Sequence, residues 1–155
     1  MTTARSLVVV CGATMAIACA SSPAEQNGEQ RAEPPVVQVV GHDFALDAPD
    51  SLPPGLTRFT FRSDGTVPHE VSIARVKQGV SLDSLLRLEL NGADITGLYD
   101  PGEGLLYIDV GETVDAALLV TLERGRDYVL ICTLDEKGKP HSMLGMVRGL
   151  RVTAR

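Results

Sequence analysis

The residues predict an all-β, Greek-key β-sandwich carrying one short inserted helix. Three observations lead there. Short β-branched or alternating runs recur between turn residues from Val36 onward, the pattern of a sandwich or barrel. A single stretch, Ser81 to Gly92, has helical rather than strand periodicity. The chain has 155 residues, enough for one domain once an apolar leader is set aside.

Taken in order, "VVQVV" at Val36 is β-branched and stops at Gly41. "LTRFTFRS" sets Leu56, Phe59 and Phe61 among polar neighbours, with Arg58 interrupting strict period two. "EVSIARV" alternates through Val71 and Ile73. "TVDAALLVTL" and "DYVLICTL" are longer apolar runs, suited to strands buried in a sandwich core. "MVRGLRVTA" closes the chain with Val147 and Val152 as apolar anchors. The helix should start at Ser81, an N-cap residue, with Asp83 in its first turn. Leu82, Leu85 and Leu86 share a face, and Asn91 and Gly92 supply the stop. The "ADITGLYDPGEG" that follows is loop-like. Its Gly102 and Gly104 lack the third glycine, preceding strand and following helix of a phosphate-binding turn. "DEKG" is expected to be a solvated turn. Tyr128 either packs or, as a tyrosine corner, bonds a nearby backbone group.

The first residues read as a leader. Arg5 is a basic n-region, and Leu7 to Ala18 is apolar and uncharged, too short to span a membrane comfortably. It ends in "AIAC", Ala16 to Cys19. That ending resembles the lipobox of bacterial lipoproteins, with Ala16 where Leu is usual. Residues 1–18 are therefore expected to be a signal peptide and Cys19 the lipidated residue. Residues 19–35, polar and rich in Pro and Gly, form a lipid-anchored flexible tether. The domain occupies residues 36–155. A plain secretory cut near Ala18 or Ala20 is the alternative. Either reading exports the protein, and the first anchors it to a membrane facing the periplasm or the cell exterior.

The formal net charge is −6, and removing residues 1–18 takes away one basic residue and no acidic one. Such a surface argues against nucleic acid as a partner, which a basic protein binds by displacing counterions. The cysteines are Cys11, Cys19 and Cys132. The first lies in the leader and the second is the lipid candidate. Cys132 then stands without a disulfide partner in an oxidising compartment. It is either a small buried hydrophobe or a thiol occupied by something else.

Four residues stand out: His69 in "TVPHEVS", and Cys132, His141 and Met146, spaced C-x8-H-x4-M. Singly, each has an ordinary explanation: a surface imidazole, a loop histidine, core-filling Met143 and Met146. Together they form a set with a chemistry of its own. Two imidazoles, one thiolate and a weak axial thioether are the ligands of blue copper. Such a set accommodates both Cu(I) and Cu(II) and suits one-electron transfer. Zinc prefers a compact tetrahedral set without Met.

On these residues the chain resembles the cupredoxins. The C-x8-H-x4-M loop is similar to that of copper nitrite reductases, with Tyr128 four residues before Cys132 and Thr133 just after it. More narrowly, "PHEVSIARV", a helical insertion and "GKPHSMLGMV" look like a group of exported bacterial cupredoxin-like proteins. The resemblance implies one type 1 copper ion, with His69, Cys132 and His141 equatorial and Met146 axial. Met146 is preferred to Met143 on loop spacing alone. Familiar cupredoxins usually place after the first His an Asn that braces the ligand loops. This chain has Glu70 there, which puts the brace in question. The inserted helix is expected to cover part of the face around the metal.

The function expected is a non-enzymatic, exported carrier of single electrons to a redox partner protein. Met143, Pro140 and Leu144 would form an apolar docking rim, and His141 the electron's exit if its ring edge is exposed. The alternatives are a periplasmic copper-binding or copper-delivery protein, and a metal-free cupredoxin-like assembly module.

Overall fold

The computed structural model describes residues 32–154. The leader over residues 1–18, Cys19 and the greater part of the tether lie outside the described residues. The elements follow in order as β1 (Val36–His42), β2 (Ala45–Asp47), β3 (Ser51–Leu52), β4 (Gly55–Ser63), β5 (His69–Arg75), α1 (Leu82–Leu90), β6 (Leu105–Ile108), β7 (Ala117–Leu122), β8 (Asp127–Ile131), β9 (Asp135–Glu136), β10 (Lys139–Pro140), a 3-10 helix (His141–Leu144) and β11 (Val147–Val152). Two sheets face each other, ordered β2-β1-β4-β7 and β3-β11-β8-β5-β6, and β9 and β10 form a small ribbon. The parallel pairs β1·β4 and β11·β3 sit among antiparallel neighbours. The chain passes between the sheets from β4 to β5, from β6 to β7 and from β7 to β8, as a Greek-key sandwich requires.

Inward-facing side chains alternate along each strand, as the pleat dictates. In β4 the interior positions are Thr57, Phe59 and Phe61, while Leu56 is 46 % exposed. Leu56 therefore does not share a face with the two Phe. Arg58 interrupts nothing, because it lies on the solvent side where period two places it. Phe59 and Phe61 pack with Val39, Val71, Ile73, Val120, Tyr128, Leu130 and Leu150 between the sheets.

The long apolar runs have a second cause. Strand β8 turns Tyr128 and Leu130 into the sandwich, but its Val129 and Ile131 are buried as well. They pack in a second cluster with Ala74, Val76, Leu82, Leu85 and Ile95. Helix α1 thus covers the outer face of the five-stranded sheet. Ser81 Oγ accepts from the Ser84 amide at 3.4 Å, and Asp83 lies in the first turn, so the helix starts where its cap predicts. Gly149 on β11 makes the docking possible: a Cβ there would stand 2.7 Å from a Leu82 methyl. The loop after the helix returns to the sheet through Glu103 N–H to the Ile73 carbonyl (3.0 Å) and Arg75 Nε to Asp100 Oδ2 (2.9 Å).

Tyr128 is a tyrosine corner. Its hydroxyl accepts from the Glu123 amide at 3.0 Å and donates to the Thr121 carbonyl at 3.3 Å, tying β8 to the end of β7. The "DEKG" segment is the turn of the β9–β10 ribbon. Lys137 and Gly138 have φ of 54° and 83°, and the Gly138 amide is capped by Asp135 Oδ1 at 2.6 Å.

Candidate metal centre

His69 is the first residue of β5, Cys132 follows β8, His141 opens the 3-10 helix, and Met146 directly precedes β11. Three of the four belong to one loop, and its backbone binds them to one another. The Cys132 amide donates to the Met146 carbonyl (3.1 Å), the Ser142 amide to the Cys132 carbonyl (2.9 Å) and the Met146 amide to the His141 carbonyl (2.9 Å). Gly145, with φ of 126°, ends the 3-10 helix. A Cβ there would lie 2.8 Å from the Phe44 carbonyl oxygen, so the position requires Gly on both counts.

His69 reaches this loop across the sheet, because β5 pairs with β8. Its Nδ1 stands 3.3 Å from His141 Nδ1, and Cys132 Sγ stands 3.4 Å from the same His141 nitrogen. One donor atom from each of the three lies within 4.8 Å of the others. His69 is 0 % exposed, Cys132 0 % and His141 2 %. The ring edge of His141 is therefore not open to solvent. It lines a hollow with Val67, Pro68, Tyr107 and Leu134.

The two methionines separate clearly. Met146 is fully buried in the sandwich core beside Cys132, with its methyl close to Gly41. Met143 lies away from that core. It lines a hollow with Glu89, Gly92, Ile95 and Tyr99, where the end of α1 meets the ligand loop. The helix touches the loop there, whereas the hollow beside His141 is lined by residues outside the helix. Pro140 and Met143 are half-buried and Leu144 is exposed.

The carboxylate of Glu70 is not a missing brace. Its Oε1 accepts from the Thr133 amide at 3.0 Å and from Thr133 Oγ1 at 2.6 Å, joining the His69 strand to the Cys132 loop. Its own amide donates to Cys132 Sγ at 3.5 Å. Glu70 and Thr133 together perform the bracing expected of an Asn.

Two residues that sequence reasoning missed sit in the turn between β1 and β2. The Phe44 ring meets His141 edge-on, with centroids 4.7 Å apart, and His69 at 6.3 Å. Asp43 Oδ1 lies 2.8 Å from His69 Nε2. The hydrogen bond from the Thr66 hydroxyl, then that from its amide and the nearby His69, hold the Asp43 carboxyl down at about 2, against some desolvation. Nothing local in "GHDFAL" distinguishes Asp43; it lies 26 positions from its partner.

Burial, and then the neighbouring His69, push His141 below the ordinary imidazole value. Burial pushes the Cys132 thiol up, against the pull of hydrogen bonds from the Glu70 and Leu134 amides. A buried thiol and two buried imidazoles directed at one point lack a positive charge, and a bound cation would favour the thiolate. The donor set fits copper: one soft sulfur and two imidazole nitrogens, one imidazole held from behind by a carboxylate.

The chain is similar to several solved structures. The structure of dithionite-reduced auracyanin from the photosynthetic bacterium Roseiflexus castenholzii matches with a TM-score of 0.51 and 17 % identity, over 76 % of this chain and 96 % of that one. Auracyanin A from Chloroflexus aurantiacus, described as a "blue" copper protein, gives 0.49 at 18 % identity, over 77 % and 99 %. Reduced rusticyanin gives 0.47 at 17 % identity, over 76 % and 79 %. No family model and no curated protein matches the sequence. The match to the Roseiflexus castenholzii structure and the observed strand order give the described residues the cupredoxin-like fold that the strand pattern and ligand loop predicted.

Proposed function

We propose that the protein is an exported type 1 copper protein that carries single electrons. Copper would be held by His69 Nδ1, His141 Nδ1 and Cys132 Sγ, with Met146 as the axial ligand. One observation carries this reading: the three donors converge within 4.8 Å at a buried pole of the sandwich. When bound, copper supplies a Cu(II)/Cu(I) couple. The chain's own residues do the rest. The backbone bonds among Cys132, His141 and Met146, and the Glu70–Thr133 brace, hold the ligands in one arrangement, which keeps reorganisation small. Burial excludes water from the thiolate. His141 leads to the hollow lined by Val67, Pro68, Tyr107 and Leu134, where a redox partner protein would take or give the electron. Met146 rather than Met143 would be the fourth ligand, a choice supported by its place in the core beside Cys132, whereas Met143 lines the hollow at the helix end.

The leader pattern supports export, and the lipobox-like "AIAC" supports a membrane anchor through Cys19. We assign no enzymatic step to the site and no nucleic-acid partner to its acidic surface. Burial of all three donors favours a carrier over a delivery protein, which would need an accessible ion, and over a metal-free module, which would not need converging donors.

Protein loaded with Cu(II) should show a strong visible thiolate-to-copper absorption. In Cys132→Ala that band should vanish completely. Retention of the band, or failure of the unaltered protein to take up stoichiometric copper, would refute the assignment. Slow copper exchange with a reversible couple, measured against a Cu(I) chelator, is expected of a carrier; fast exchange would favour delivery.

A further inference from the structure

We infer that Asp43 is a positioning residue: it fixes the tautomer of His69, turns Nδ1 toward the metal, and favours Cu(II) over Cu(I). The inference rests on the copper reading above. It begins with two distances on one ring. His69 Nε2 lies 2.8 Å from Asp43 Oδ1, and His69 Nδ1 lies 3.3 Å from His141 Nδ1. An ionised carboxylate only accepts hydrogen bonds, so Nε2 carries a proton, and in the neutral tautomer Nδ1 is left as the acceptor facing His141. His69 is 0 % exposed, so no solvent competes for that proton.

The acceptor is itself held in place. The Thr66 amide donates to Asp43 Oδ1 at 3.0 Å and to Oδ2 at 2.9 Å, and the Thr66 hydroxyl donates to Oδ2 at 2.5 Å. Gly65 packs against the pair, and a Cβ on it would overlap both His69 Nε2 and Asp43 Oδ1. Two turns far apart in sequence, Asp43–Phe44 and Gly65–Thr66, thus close around one imidazole edge. A carboxylate on the far nitrogen raises the basicity of a ligating imidazole. Its negative charge also favours the more positive of two oxidation states, through partly screened Coulomb attraction. Asp43 acts through His69 and does not touch the copper.

Asp43→Asn keeps an acceptor but removes the charge; Asp43→Ala removes both. For Asp43→Asn we expect Cu(II) affinity to fall about tenfold, with Cu(I) affinity, read by chelator competition, nearly unchanged. The reduction potential should then rise by about 59 mV, a tenfold change for one electron. Asp43→Ala should lose up to about 100-fold in Cu(II) affinity. In the copper-free protein, nitrogen-15 shifts of His69 should report Nε2–H in the unaltered chain and in Asp43→Asn, and a tautomer mixture in Asp43→Ala. Should Asp43→Ala fail to fold, Asp43→Asn and Thr66→Val carry the test. Equal loss of Cu(I) and Cu(II) affinity, an unmoved potential, or an Nδ1–H tautomer in the unaltered protein would overturn the inference. These outcomes, with the blue band intact, leave the copper reading standing. A protein that takes up no copper removes both.

Discussion

The ligand-bearing strand β8 and the residue just beyond it are held by different physics. Along the strand, Val129 and the last residue, Ile131, lie under α1 in an apolar layer with Leu82, Leu85 and Ile95. Just beyond its end, Cys132 sits in a web of directed contacts with His141, Met146 and Glu70. Apolar burial has no direction and tolerates other side chains of similar volume. The metal pole depends on angles, tautomers and particular backbone amides, and tolerates little. The helix side should therefore carry stability without affecting the copper, and the pole should do the reverse.

The sharpest way to break that division is Leu85→Ala. Leu85 is fully buried, and emptying its place should cost about 2–5 kcal/mol in a denaturant titration while leaving the copper spectrum unchanged. A shifted spectrum would mean that the helix layer and the pole are mechanically one. Glu70→Ala tests the pole. It removes the acceptor of the amide and hydroxyl of Thr133, an exposed residue whose donors water can take over, so it should cost at most about 1.5 kcal/mol while broadening the electron paramagnetic resonance of bound Cu(II). An unchanged resonance would show that the brace does not govern the ligands. The mildest change is Tyr128→Phe. It removes the corner hydroxyl that meets Glu123 and Thr121 and should cost about 1 kcal/mol. No change in potential is expected, and a shift would extend the metal's influence along β8.

Most of the strands were legible because period two and turn residues are local signals. The ones that escaped are short or lie at edges. Strand β6 has four residues and pairs on one side only, with β5. Strands β2 and β3 have three and two, too few to display a period. Leu56 was set on the wrong face because hydrophobicity outranked parity; Thr57 takes the interior position instead. At the candidate site, the loop residues were legible from spacing, since C-x8-H-x4-M lies within one turn of chain. Glu70 was seen as a departure, but its partner Thr133 lies 63 positions away. Separation in sequence likewise hid Asp43, 26 positions from His69, and Phe44, and burial hid the closed edge of His141.

From the string of residues alone came the sandwich class, the capped helix and a set of side chains chemically suited to copper. Those properties follow from nearest neighbours and short spacings, which need no knowledge of the rest of the chain. Which imidazole nitrogen faces the thiol, what stands where cupredoxins usually carry Asn, and which carboxylate stands behind His69 were decided by folding. Each depends on strands and turns distant in sequence arriving within hydrogen-bond reach, and only the pairing of β5 with β8 and the meeting of two turns bring them there.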